Sequence, residues 1–169
     1  MTKMPSLFVS HGSPMIMVEP SPSQDFFKGL AERLPRPKAI VSATAHWYTA
    51  EPMINGDENP QTTHDFYGFP EELYMLNYPA PSDVGVAQSV FDALKAKGIA
   101  AEITRDRGRD HGTWAPLKLI YPAADIPVVE LSVQPRKSAR WHYEMGQAPY
   151  RDISHKILKA SPEIMPARN

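Results

Sequence analysis

Ser6-Leu7-Phe8-Val9-Ser10-His11-Gly12-Ser13-Pro14 (SLFVSHGSP) is the stretch on which the fold turns. A short apolar run, Leu7 to Val9, ends abruptly in a polar turn headed by a histidine. Apolar residues followed by Gly and Pro read as a buried strand that delivers a side chain to a loop. In open α/β sheets ligands sit at the carboxyl ends of the strands, so His11 is placed where chemistry is expected.

Outward from this stretch, Ser21-Pro22-Ser23-Gln24 has the form of a capping box with proline at the first helical position. The helix it predicts carries Phe26, Phe27, Leu30 and Leu34 on one face and stops at Pro35 and Pro37. Ala39 to Ala45 (AIVSATA) reads as a second strand, and it too runs into a histidine, His46. Strand, helix and strand make a βαβ unit, whose parallel strands would bring His11 and His46 to one edge of the sheet.

The remainder fits an α/β domain with a mixed, largely parallel central sheet flanked by helices. Met53 to Gly56 suggests a short strand, Asp83 to Lys97 an amphipathic helix stopped by Gly98, and Ala100 to Thr104 a strand. Asp106 to Pro116 reads as a polar loop leading into a short helix over Leu117 to Tyr121. Ile126 to Val133 is the strongest strand signal, and Ser138 to Gln147 looks helical. From Pro149 onward the pattern weakens: Ile153, Ile157 and Leu158 suggest a turn or two of helix, followed by a tail. No domain boundary is visible, so residues 1–169 read as one domain.

Composition narrows the function. The formal net charge of −1 is spread without blocks of like charge, which gives no footprint for nucleic acid or an acidic membrane. No stretch is long and apolar enough to span a bilayer, and a cytoplasmic location is the default expectation. The absence of cysteine removes disulfides, thiolate ligands and a cysteine nucleophile. Six histidines then tilt any metal site toward imidazole and carboxylate ligation, suited to iron or zinc.

His11 and His46, at matched strand ends, form the leading candidate metal pair, although either taken alone reads more readily as a hydrogen-bonded loop residue and the two together balance evenly between the readings. His111, in Asp110-His111-Gly112-Thr113-Trp114, suits a general acid or base or a helix-capping loop. His64 with Phe66, Tyr67 and Phe69 would line a pocket for an aromatic substrate or form a packing cluster. His142 and His155 read as ordinary surface or packing residues.

Four motifs occur in order: HGSP (11–14), SATAHW (42–47), DFYGFP (65–70) and DHGTWAP (110–116). From Ser6 to Gln147 the chain thereby resembles the class III extradiol ring-cleavage dioxygenases of the DOPA 4,5-dioxygenase type. The resemblance implies an α/β fold with a non-haem metal, Zn(II) or Fe(II), at one end of the sheet. His11 and His46 match metal-ligand positions, His111 the active-site histidine, and His64 a position close to the pocket. The implied substrates are a catechol, DOPA-like, and O2.

Members of that family run on past the match into a glycine-rich histidine segment that supplies the remaining ligation. Residues 148–169 have no counterpart to it, so the expectation is a C-terminally shortened member of the fold. Metal affinity would then be weak, helped by an opportunistic ligand such as Glu130 or His155, and uncovered sheet surface would favour self-association. A remnant without activity and a metal-dependent hydrolase on a similar scaffold are the competing readings.

Overall fold

The computed structural model describes residues 4–159, with side chains as far as residue 149. The sheet consists of β1 (Ile40–Tyr48), β2 (Met53–Asn55), β3 (Glu102–Thr104) and β4 (Val128–Val133). Its spatial order is β1-β4-β2-β3, with β1 parallel to β4, β2 parallel to β3, and β2 antiparallel to β4. The helices are α1 (Pro22–Lys28), α2 (Glu71–Tyr74), α3 (Val84–Ala96), α4 (His111–Ile120) and α5 (Ala139–Lys159). The expected mixed α/β architecture is therefore present.

Alternation along β4 defines the layers. Side chains of a strand point to opposite faces in turn. Val128 joins a core with Phe27, Trp114, Leu117 and Ile120 from α1 and α4, whereas Val129 and Leu131 join Val86, Val90, Leu94 and Met145 from α3 and α5. Helices thus cover both faces of β4, which is why Val128 to Ser132 are all buried, the polar Glu130 and Ser132 included. β1 lies at the edge of the sheet and is only partly covered.

The register of β1 against β4 is regular from Ile40↔Val128 to Ala43↔Leu131, then resumes at Tyr48↔Val133. Five steps of β1 are thus set against two of β4. Irregularities of this kind re-aim side chains, and this one contains His46.

Three expectations need correction. Leu7 to Val9 forms no strand; the run is exposed, with Phe8 fully so, because no ladder among the described residues pairs with it. The first parallel pair is β1 with β4 instead. The helix after Ser21 is only seven residues long, and Phe26 lies on its exposed side while Phe27 is buried. α4 begins at His111 rather than at Leu117, with Asp110 as its N-cap, so the polar loop is shorter than its glycine and proline content suggests. α5 continues through Pro149, so residues 153, 157 and 158 are helical in backbone; the tail at 160–169 lies outside the described residues.

Candidate active site

Three segments converge on one point. His11 precedes Gly12, whose positive φ of 63° suits glycine, and the next turn is anchored by Gln24 Nε2 donating to Ile16 O at 2.8 Å. His46 comes from the irregular part of β1. His111 is the first residue of α4. The metal-binding atoms of the three imidazoles all lie within 4.8 Å of one another, and His11 Nε2 is 3.3 Å from His46 Nε2. The rings of His46 and His111 meet edge to face at 4.1 Å.

Asp65 ties two of these rings together. Its Oδ2 accepts from His46 Nδ1 at 3.1 Å, and its Oδ1 accepts from both the backbone N–H and Nδ1 of His111, each at 2.8 Å. The first N–H groups of a helix have no partner within it, and Asp110, the N-cap of α4, makes no side-chain cap bond. Asp110 instead accepts from Thr44 Oγ1 at 2.7 Å and from Arg107 at 2.7 Å. Asp65 therefore caps α4 from another loop, and its negative charge sits at the positive end of the helix. Burial works to raise its pKa, but the hydrogen bonds from His111 prevail and hold the carboxyl below its ordinary range. Burial, reinforced by the neighbouring His111 and His46, lowers the pKa of His11 to about 4. At neutral pH His11 is uncharged and offers a lone pair.

The surroundings require small residues at fixed points. A Cβ on Gly112 would fall 2.5 Å from His46 Cδ2 and 2.7 Å from Thr44 Oγ1, so only glycine lets β1 and α4 approach this closely. Phe66 stands beside His111, with ring centroids 5.1 Å apart. His64 is one ring further out, between Phe66 and Trp114, with its Nε2 hydrogen-bonded to Leu76 O at 2.9 Å. Tyr67 is 92% exposed. The aromatic loop thus brings Phe66 to the histidines, while His64 is engaged with backbone and Tyr67 faces solvent. Glu130 is buried against Asn55 and does not belong to the histidine group. His155 falls where α5 is described by its backbone alone.

Residues 5–157 match the family model described as the catalytic LigB subunit of aromatic ring-opening dioxygenase. The chain belongs to the LigB family. It is 44% identical to the 4,5-DOPA dioxygenase extradiol of Escherichia coli K12, over 86% of this chain and 54% of that protein. It is 42% identical to the protein of the same name from Beta vulgaris, over 96% of this chain and 63% of the relative. A solved structure, an uncharacterized protein JW3007 from Escherichia coli K12, superposes with a TM-score of 0.62 at 35% identity, covering 78% of this chain and 48% of the other. This LigB chain spans about half the length of the first of these relatives.

Sequence reasoning about this LigB chain finds the three histidines and overlooks Asp65, which appears only as the first letter of DFYGFP. Its one local signal is a carboxylate next to a histidine in a long irregular loop; its partners lie 19 and 46 positions away.

Proposed function

We propose that the site holds one divalent ion, iron(II) or zinc(II), through His11 and His46, and opens the ring of a catechol with O2. The observation that carries this reading is the convergence of three imidazoles from three separate segments. Bases crowded together, with no carboxylate bonded to their Nε2 atoms among the described residues, suit a shared cation. Imidazole ligation suits iron and zinc, and a ligand histidine must be unprotonated, which the lowered pKa of His11 favours.

A bound iron(II) ion would supply Lewis acidity toward the catechol oxygens and redox access to O2. His111 supplies the proton chemistry. Its Nδ1 is committed to Asp65, so its Nε2 is the atom that takes a proton from a catechol hydroxyl and later returns it. Asp65 sits where it steadies the imidazolium formed in between. Phe66 offers an aromatic wall for the substrate ring beside His111. In the overall change both oxygen atoms enter the product, the ring C–C bond next to one hydroxyl breaks, and O2 accepts the electrons, so no external reductant is required. The names of the relatives make DOPA the first catechol to try.

The test is anaerobic loading with Fe(II), followed by an oxygen electrode and the absorbance of the yellow ring-opened product. O2 uptake with DOPA or another catechol is expected. His111→Ala should lower turnover by about 10²–10⁴-fold with metal content unchanged, whereas His11→Ala and His46→Ala should lose the metal. Unchanged metal content in either would remove it from the ligand set. A second reading, a metal-binding chain without turnover, is favoured by one observation: the histidine group holds three imidazoles, and if all three hold the ion none is left as base. Stoichiometric metal without O2 uptake would decide for that reading.

A further inference from the structure

We propose that Asp65 is a positioning residue that fixes the tautomers of His46 and His111 together, leaving both Nε2 atoms bare, and that His11 alone carries its proton on Nε2 until a metal arrives. The last clause rests on the metal reading above; the first two do not.

Donors and acceptors decide the tautomers. An ionised carboxylate only accepts. His46 Nδ1 and His111 Nδ1, at 3.1 and 2.8 Å from the two oxygens of Asp65, must therefore both carry hydrogen. A neutral imidazole has one N–H, so Nε2 of each ring is a lone pair directed away from Asp65. His46 Nε2 lies 3.3 Å from His11 Nε2. Two lone pairs at that distance repel, so His11 supplies the hydrogen and donates to His46. The other nitrogen of His11 agrees, because its Nδ1 is buried with no hydrogen-bond partner among the described residues, as an atom without a hydrogen can be at least expense.

The site is thus unequal in its preparation. His46 presents a finished ligand nitrogen, oriented in the way that carboxylate partners orient metal-binding histidines generally. His111 presents a finished base. His11 must move its hydrogen from Nε2 to Nδ1 before Nε2 can bind an ion. One carboxylate therefore links a metal ligand to the acid–base residue, and the double contact of Oδ1 with His111, at backbone and ring, fixes which oxygen serves which ring.

Long-range ¹H–¹⁵N correlation spectra of the imidazoles, recorded on the metal-free protein above the pH range where histidine titrates, test this directly. Nδ1–H is expected for His46 and His111, and Nε2–H for His11. Adding Zn²⁺ should move His11 to Nδ1–H and leave the other two unchanged. In Asp65→Asn the remaining oxygen keeps its two donors from His111, and the amide nitrogen faces His46. His46 should then switch to Nε2–H while His111 keeps Nδ1–H, and Zn²⁺ affinity by calorimetry should fall about 10–100-fold with the circular dichroism spectrum retained. A residue that merely supported the loop would not move one tautomer selectively. Nε2–H on His46 or His111 in the wild-type protein overturns the proposal, and so does an Asp65→Asn protein whose His46 keeps Nδ1–H. If that variant fails to fold, the wild-type spectrum decides by itself. The expected metal-free tautomers with no Zn²⁺ uptake would uphold the role of Asp65 and overturn the metal reading instead.

Discussion

Glu130 carries a carboxyl into the interior on the α4 side of β4. Its Oε2 accepts from Asn55 at 3.4 Å, and its Oε1 has no hydrogen-bond partner among the described residues. Burial, and then the nearby charge of Asp110, raise its pKa from 4.5 to about 7 in spite of Arg109. The consequence for stability has a definite sign. Below the ordinary value of 4.5 both folded and unfolded chains hold the proton; above it the unfolded chain releases the proton first, so stability falls as pH rises until the folded carboxyl also ionises near 7. The total loss is roughly 3 kcal/mol at 1.36 kcal/mol per pKa unit. Glu130→Gln removes this slope and should be more stable than the wild type above about pH 8. Urea unfolding across that range checks it, and parallel pH profiles for the two proteins would contradict it. At this scale the histidines are legible because short local motifs with glycine or a β-prone run, HGSP, SATAHW and DHGTW, mark them. Asp65 and Glu130 are not, because burial and partners distant in sequence decide what a carboxylate does.

At the scale of elements, the position of Asp65 depends on how its loop is stitched to the entrance of α4. Arg109 N donates to Gln61 O at 2.7 Å, Thr63 N donates to Arg109 O at 2.8 Å, and Trp114 Nε1 donates to Thr63 O at 2.8 Å. The guanidinium of Arg109, fully buried, donates to Ala80 O and Val128 O and holds the seam against β4. Gly108 makes the close approach possible, since a Cβ there would lie 2.7 Å from Gln61 O. Gly108→Ala should therefore push residues 61–65 outward, costing about 1–3 kcal/mol and weakening Zn²⁺ binding as Asp65 moves. Gly146→Ala, where a Cβ would meet nothing within 4 Å, is the control and should leave binding unchanged. Thermal melts and calorimetry read both. The same contacts show why some elements are misread from sequence. α4 starts early because a cap from a distant loop allows His111 to begin it, and a lone apolar run at 7–9 looks like a strand although strand formation depends on a neighbour that sequence pattern does not reveal.

For the whole molecule, the uncovered side of the sheet has a physical consequence. β1 is one of the two edge strands, and its exposed positions include Val41 at 37% and Tyr48 at 64% exposure. Leu7 adds exposed apolar surface, and Phe8, Val9 and Phe26 do so along a cleft of about 370 Å³ that also includes Ser10 and Phe27. An unpaired strand edge offers backbone donors and acceptors to another chain, and contiguous apolar surface supplies the driving force. This chain should associate with itself as concentration rises, giving a sedimentation coefficient that increases over the micromolar range. Because Phe8 is fully exposed, Phe8→Lys removes apolar area without opening a cavity and should leave the melting temperature unchanged while reducing association. Val41→Lys, at the edge of β1, should reduce it further, since charge on an edge strand opposes pairing. A protein that stays monomeric at all concentrations, or two variants that associate as strongly as the wild type, would show that the edge and the apolar run do not drive association.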